Sequence, residues 1–420
     1  MIKKYLLVLL IILGTAPLTA QKLLIPMDLT QTDHLKAYGI VYWVLKQDIR
    51  VEWLLNYRGG SFLMDHYSGI EKELRLRGVK FETVSAAELL EIYSVIEESN
   101  MDIALLEKAA KIAVYSPPNM QPWDDAVTLA LTYGEIDYDV IWDVEVMEGR
   151  LKEYDWLHLH HEDFTGQYGK FYANYRHQAW YQEQQREFEK TARQLGFEKV
   201  SEEKKAIARK IKEYVGRGGF LFAMCSATDA LDIALAAEGV DIVASVFDGD
   251  PVDPNAQAKL DFEKTLAFEN FTLYPDPMIY EYSDIDYPPS FQAVTPGAEA
   301  DYFTLFEFSA KYDPVPTMLT QNHVGIIKGF MGQTTGYRRE KIKKTVVVMG
   351  EVVDGEQVKY IHGNYGRGTF TFLGGHDPED YRHYVGDPPT RLELHKNSPG
   401  YRLILNNVLF PSARKKEQKT

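Results

Sequence analysis

Residues 218–235 constrain this chain more than any other stretch. Five apolar residues, Phe220–Met224, follow the pair Gly218-Gly219 and end at Cys225, the only cysteine, after which helical spacing begins at once. So short an apolar run predicts a strand covered on both faces, as in a parallel α/β sheet. Upstream, residues 201–217 carry Ala206, Ile207, Ile211, Tyr214 and Val215 close to helical spacing and stop at the glycine pair, which suits a helix end. Ala223 and Ala227 stand two positions on either side of the cysteine. Such small residues fit a strained strand-to-helix elbow that lifts a nucleophile clear of the sheet, with Ser226, Thr228 or Asp229 as the helix cap.

The same alternation extends upstream. Residues 111–115, 138–142 and 156–160 read as strands, and 123–133 and 144–154 as helices, which predicts parallel βαβ units in an α/β protein with helices on both faces of the sheet. Ahead of them, 21–110 reads as an N-terminal α/β segment: strands at 23–27 and 50–56, helices at 33–45 and 68–77, and a mostly helical 86–106. The turn Tyr57-Arg58-Gly59-Gly60 either holds an anion or lets the chain bend. Two insertions interrupt the main body of 111–410. The first, 164–200, is helical and forms either a lid over the sheet's carboxyl edge or a surface helix pair; the second, 245–340, is irregular and rich in Asp turns. A hairpin around Asp354-Gly355, a strand at 369–373 and a helix at 400–410 close the fold, and 411–420 is expected to be a disordered basic tail.

Residues 1–20 read as a signal peptide, with Lys3 and Lys4 before an apolar core too short to span a bilayer, and Leu18-Thr19-Ala20 as the cleavage site. The expectation is an exported protein, periplasmic or extracellular, with no stable membrane insertion after cleavage. With 46 basic and 61 acidic side chains the net charge is −15, which argues against nucleic acid or an anionic membrane as partner. A single cysteine excludes an internal disulfide.

Ligands of parallel sheets bind beyond the carboxyl ends of the strands, and four such ends carry reactive groups. They are Ser116-Pro117-Pro118-Asn119, His160-His161-Glu162-Asp163, Cys225-Ser226, and His376-Asp377-Pro378-Glu379 after Gly374-Gly375. The expected catalytic pair is Cys225 as nucleophile and His376 as general base, with Asp377 or Glu379 orienting the histidine and the helix start at Ser226 holding an oxyanion. His160, His161, Glu162, Asp163, Ser226 and Asn119 are the expected substrate contacts. His158, His160 and Glu162 alternate onto one strand face, so a metal variant would use His160, Glu162 and His376. No spacing-specific metal motif is present, and no metal or cofactor is assigned. The substrate is expected to be a small molecule or a glycan or envelope derivative.

The helix, glycine pair, apolar strand and cysteine elbow, followed far downstream by Gly366-Arg367-Gly368, a strand and His376, resemble the class I glutamine amidotransferase-like superfamily, and within it the trehalose-utilisation-protein-like branch. The resemblance implies a flavodoxin-like sheet, with Cys225 and His376 at the nucleophile and histidine positions. Two departures stand out: alanines replace the glycines beside the cysteine, and the acid is adjacent to the histidine or three residues on, instead of two. Over nearly its full length the chain is also similar to exported Bacteroidetes proteins often labelled asparagine synthetase B. The shared runs include His34-Leu35-Lys36-Ala37-Tyr38-Gly39 and His160-His161-Glu162-Asp163-Phe164-Thr165-Gly166. The chemistry of that label is not in the residues, since the cysteine is internal and no phosphate-gripping glycine loop is present.

Overall fold

The computed structural model describes residues 21–119, 121–287, 301–313, 316–353, 355–380 and 384–415. The predicted signal peptide and Asp354 lie outside them. Two sheets form. The smaller is antiparallel throughout and takes β1 (Lys22–Ile25), β2 (Val51–Leu55), β3 (Ser61–Asp65), β4 (Glu82–Val84) and β5 (Asp102–Leu106) in the order β4-β1-β3-β2-β5. The expected helix at 86–106 is therefore two elements. A capping box at Ser85 and Glu88 starts a helix over Ala86–Glu98, and Asp102–Leu106 then leaves it to pair with β2, a long-range contact that overrides local spacing.

The larger sheet holds β6 (Ile112–Tyr115), β7 (Asp139–Ile141), β8 (Trp156–Leu159), β9 (Phe220–Met224), β10 (Tyr302–Leu305), β11 (Ile326–Lys328), β12 (Tyr337–Arg338), β13 (Val347–Glu351), β14 (Gln357–Tyr365) and β15 (Gly368–Leu373). Its parallel half runs β7-β6-β8-β9-β15, which is 2-1-3-4-5 in chain order, a doubly wound arrangement whose order reverses between β6 and β8. The antiparallel half, β14-β13-β10-β11, continues from β15, and β13 and β14 make the predicted hairpin.

Helices cover both faces. Helices His34–Leu45, Ala126–Gly134 and Pro399–Leu409 lie against Ile112, Val114, Trp156 and Phe222; helices Ala179–Gln194, Val200–Gly216 and Ala227–Ala236 cover Leu157, Leu221 and Phe370 on the other side. Ile207, Ile211 and Val215 recur on one side of helix Val200–Gly216 and are fully buried, each stabilising the fold by roughly 1.5–3 kcal/mol.

The small sheet is tied to the large one. The first apolar cluster runs without a break from Leu23, Ile25 and Trp53 through the helix at His34 to Val114 and Phe222. Arg402 on helix Pro399–Leu409 is fully buried and donates to the carbonyls of Met27 (2.9 Å) and Gly59 and to the Tyr38 hydroxyl (3.0 Å). Arg58, the cation of the glycine turn, donates to Asp28 (2.7 Å) and to both oxygens of Glu82 (2.8 and 3.0 Å), so this turn is a bend held by ion pairs. Of the expected tail, 416–420 lie outside the described residues; before them the carbonyl of Ser412 accepts from the Glu107 amide, the Arg414 amide donates to the Leu105 carbonyl, and the Arg414 side chain pairs with Glu107. Among the described residues no helix is long and apolar enough to cross a membrane.

Candidate functional site

In-register pairing of Leu159 with Ala223 and of Leu373 with Met224 brings the ends of β8, β9 and β15 to one edge. There the chain turns sharply at Cys225, whose φ of 49° is left-handed, a conformation that costs a residue with a Cβ about 1–3 kcal/mol. Bonds to both neighbouring strand ends hold it. The Cys225 amide donates to the carbonyls of Leu373 (3.3 Å) and Gly375 (3.1 Å), and the next amide but one, Ala227, donates to His160 (3.0 Å). Ser226 occupies the N-cap of helix Ala227–Ala236 without a side-chain cap bond; instead the Thr228 hydroxyl donates to the Cys225 carbonyl (2.7 Å).

Residues 330–335 pass directly over the cysteine. The approach requires glycine at Gly375, whose φ is +93° and whose Cβ would lie 1.5 Å from the Phe330 carbonyl oxygen; at Gly332 a Cβ would fit tightly, 3.2 Å from Cys225 Sγ and 3.1 Å from His376 Cβ. Cys225 is fully buried beneath this segment. Burial pushes its thiol up to about 11, against the opposing pull of the backbone N–H groups of Thr334, Gln333 and Ser226, which face the sulfur.

Beside it, His160, His161 and His376 stack. Ring centroids are 4.1 Å apart for His160 and His161, 4.7 Å for His160 and His376, and 4.6 Å for His161 and His376. His376 Nε2–H donates to the Asp124 carbonyl (3.0 Å), and the Asp124 carboxylate lies 3.7 Å from the same nitrogen. Burial, aided by the charge of Asp377, raises the Asp124 carboxyl to about 6. Asp125 caps helix Ala126–Gly134 through the amides of Val127 (2.7 Å) and Thr128 (2.9 Å), and its carboxylate also faces His158 (3.2 Å) and His160 (3.4 Å). Burial works to raise Asp125, but His158 and His160 outweigh it and hold the carboxyl well below its ordinary value. Burial lowers His160, with Asp125 opposing.

The acids expected to orient His376 are turned elsewhere. Asp377 accepts from the Tyr401 hydroxyl (2.5 Å) and from the amides of Glu379 and Asp380, and Glu379 pairs with His395 (3.0 Å), because the turn at Gly375 sends the chain back toward helix Pro399–Leu409. Glu162 accepts from the His160 amide (2.6 Å), and burial raises it to about 7; of the expected metal trio it is the member whose place beside His160 and His376 is taken by His161. Asp163 spends its oxygens inside its own loop, on Thr165 and Gly169. Asn119 does not line the cleft described next, and its carbonyl accepts from the Gln121 side chain (3.2 Å).

A cleft of about 320 Å³ opens beside the histidines, lined by Trp123, His161, Phe171, Tyr175, Tyr280 and Gln333 among others. The front of the first insertion thus walls the cleft, while helix Ala179–Gln194 behind it packs Tyr181 and Phe188 into the core. Sequence reading missed Trp123, Asp124 and Asp125, having placed them inside a helix. The available signal was the Asp pair Asp124-Asp125 directly before the apolar run Ala126-Val127, an N-cap pattern. Gly332, Gln333 and Thr334 carry no positional signal in the sequence, and only folding sets them over Cys225.

No family model matches the chain, and no curated protein does. Among solved structures it is similar to the cytoplasmic protein STM3548 from Salmonella typhimurium at 12% identity, with a TM-score of 0.36, over 73% of this chain and 100% of that one. The cytoplasmic protein STM1381 from Salmonella typhimurium LT2 follows at 12% identity and a TM-score of 0.33, over 72% and 100%. A β-galactosidase from Bacillus circulans sp. alkalophilus aligns at 11% identity and a TM-score of 0.26, over 70% of this chain and 32% of its own.

Proposed function

We propose that this protein is an exported hydrolase or amidase of the amidotransferase-like, flavodoxin-like kind, acting on an amide or an envelope- or carbohydrate-derived substrate. The observation that carries this reading is the left-handed elbow at Cys225 with His376 meeting it across Gly332. In this reading the sulfur attacks a carbonyl carbon and its proton passes to His376, whose ring is held by the Asp124 carbonyl. The Ser226 backbone N–H at the helix start, which stays when residues 330–335 move, then lies where an oxyanion develops. A neutral, covered thiol needs that base, and it needs the segment at 330–335 to lift. The leader at 1–20 supports export.

Full burial of Cys225 favours a second reading, a catalytically silent cleft that holds a glycan or envelope partner. Alkylation separates the two. The enzyme reading expects iodoacetamide to label Cys225 in the folded protein near neutral pH, faster when a substrate lifts the segment, and Cys225→Ala to abolish turnover of a panel of amides and esters. A native thiol that stays unlabelled, with ligand binding intact in Cys225→Ala, selects the silent cleft.

A further inference from the structure

From the same edge we propose a second site: a divalent transition-metal centre of the zinc class, formed by one imidazole nitrogen from each of His160, His161 and His376 and opening on the aromatic cleft. These three nitrogens lie within 4.8 Å of one another. Three nitrogens on one zinc stand about 3.4 Å apart, given bonds of about 2.0–2.1 Å, so closing on an ion asks for side-chain shifts of about an ångström.

The surroundings match what ligating histidines need. Each ligand ring ordinarily gives its other N–H to a carboxylate or a carbonyl, which sets the tautomer. Here His376 Nε2–H donates to the Asp124 carbonyl, putting its lone pair on Nδ1, and His160 Nδ1 lies 3.4 Å from the Asp125 carboxylate, an ion-pair contact and not a formed hydrogen bond, which favours the proton on Nδ1 and the lone pair on Nε2. His160 Nε2 is buried and has no hydrogen-bond partner among the described residues, which would be a standing cost of about 1–3 kcal/mol without a ligand. Asp125 is itself anchored, by the helix amides and by His158, so the outer partner is rigid. His161 is the only half-exposed member of the trio and lines the cleft, so the remaining coordination positions face the space where a substrate would sit. This differs from the trio expected on sequence grounds, because Glu162 is held by the His160 amide.

The proposal does not rest on a reactive Cys225, and the two uses of His376 exclude each other in one molecule: Nδ1 either takes the thiol proton or binds the ion. The test takes the full chain, stripped with chelator and shown by circular dichroism to be folded, and titrates it with zinc chloride by calorimetry and with cobalt(II) by visible absorption. The expected result is about one equivalent bound, with a cobalt spectrum free of a sulfur-to-metal charge-transfer band. His160→Ala and His161→Ala should weaken binding by more than the roughly 10–100-fold that an outer-partner change such as Asp125→Asn costs. Cys225→Ala should bind as the unaltered protein does. Absence of saturable binding to the unaltered folded protein overturns the site, as does equal affinity in the half-exposed His161→Ala variant, or loss of binding in Cys225→Ala. Because the cobalt spectrum is read on the unaltered chain, a variant that fails to fold leaves the test standing. An inert Cys225 with intact zinc binding would reject the thiol mechanism and keep the metal centre.

Discussion

At the scale of single residues, the carboxyl edge collects acids that prefer to be neutral, and Asp229 shows the consequence for stability. It lies in the first turn after the elbow, accepts from the Thr334 hydroxyl (3.1 Å) and the Ala230 amide (3.0 Å), and burial raises its carboxyl to about 7 from an ordinary 3.8. The folded state therefore holds the proton more tightly than the unfolded chain. The stability this lends is complete below about 3.8 and is lost as pH rises through about 7. Asn mimics the protonated acid and keeps both acceptor contacts, so Asp229→Asn should gain stability relative to the unaltered protein between about pH 5 and about pH 8. Urea midpoints at the two pH values read this directly, and a difference that does not change with pH would contradict it. The sequence gives no hint of such a shift, since Asp229 looks like an ordinary first-turn acid. It lies in a helix buried along its whole length, and the Thr334 hydroxyl that it accepts from is more than a hundred positions away.

At the scale of elements, helix Pro399–Leu409 joins parts of the chain that are far apart. Its position was legible as a helix at 400–410; the structure adds Ser398 as a cap that accepts from the Tyr401 amide, with Pro399 in the first turn. What its buried polar residues hold was not legible. Arg402 satisfies carbonyls on the small sheet, and Asn406 donates to the carbonyls of Leu319 (3.1 Å) and Gln321 (2.7 Å). Arg402→Ala removes the Arg402 donor from the part-buried Gly59 carbonyl and one of two donors from the Met27 carbonyl, and it opens a cavity, so a loss of about 2–5 kcal/mol is expected, read as a lower urea midpoint. Limited proteolysis should then cut first within residues 21–110. Unchanged midpoint and cleavage pattern would show that the contacts are not needed.

At the scale of the molecule, the boundary at residue 110 that the onset of strand–helix alternation suggests is not a split in packing. Helix His34–Leu45 packs on the face formed by helices Ala126–Gly134 and Pro399–Leu409, within one continuous apolar cluster. Residues 111–415 expressed alone would expose that face, so the fragment should be insoluble or lack a cooperative melt, whereas residues 21–415 should unfold in one transition. A soluble, cooperatively folding 111–415 would refute this. The sequence by itself determined the parallel α/β body, the helices on its faces and the convergence of strand ends at Cys225, His160 and His376, because apolar period and strand–helix alternation are local and repeat along the chain. Only the tertiary structure decided that Asp124, and not Asp377 or Glu379, holds His376, that three imidazoles stack, and that residues 330–335 cover the thiol. Those facts depend on which distant loops share one sheet edge, and no spacing along a single segment encodes that.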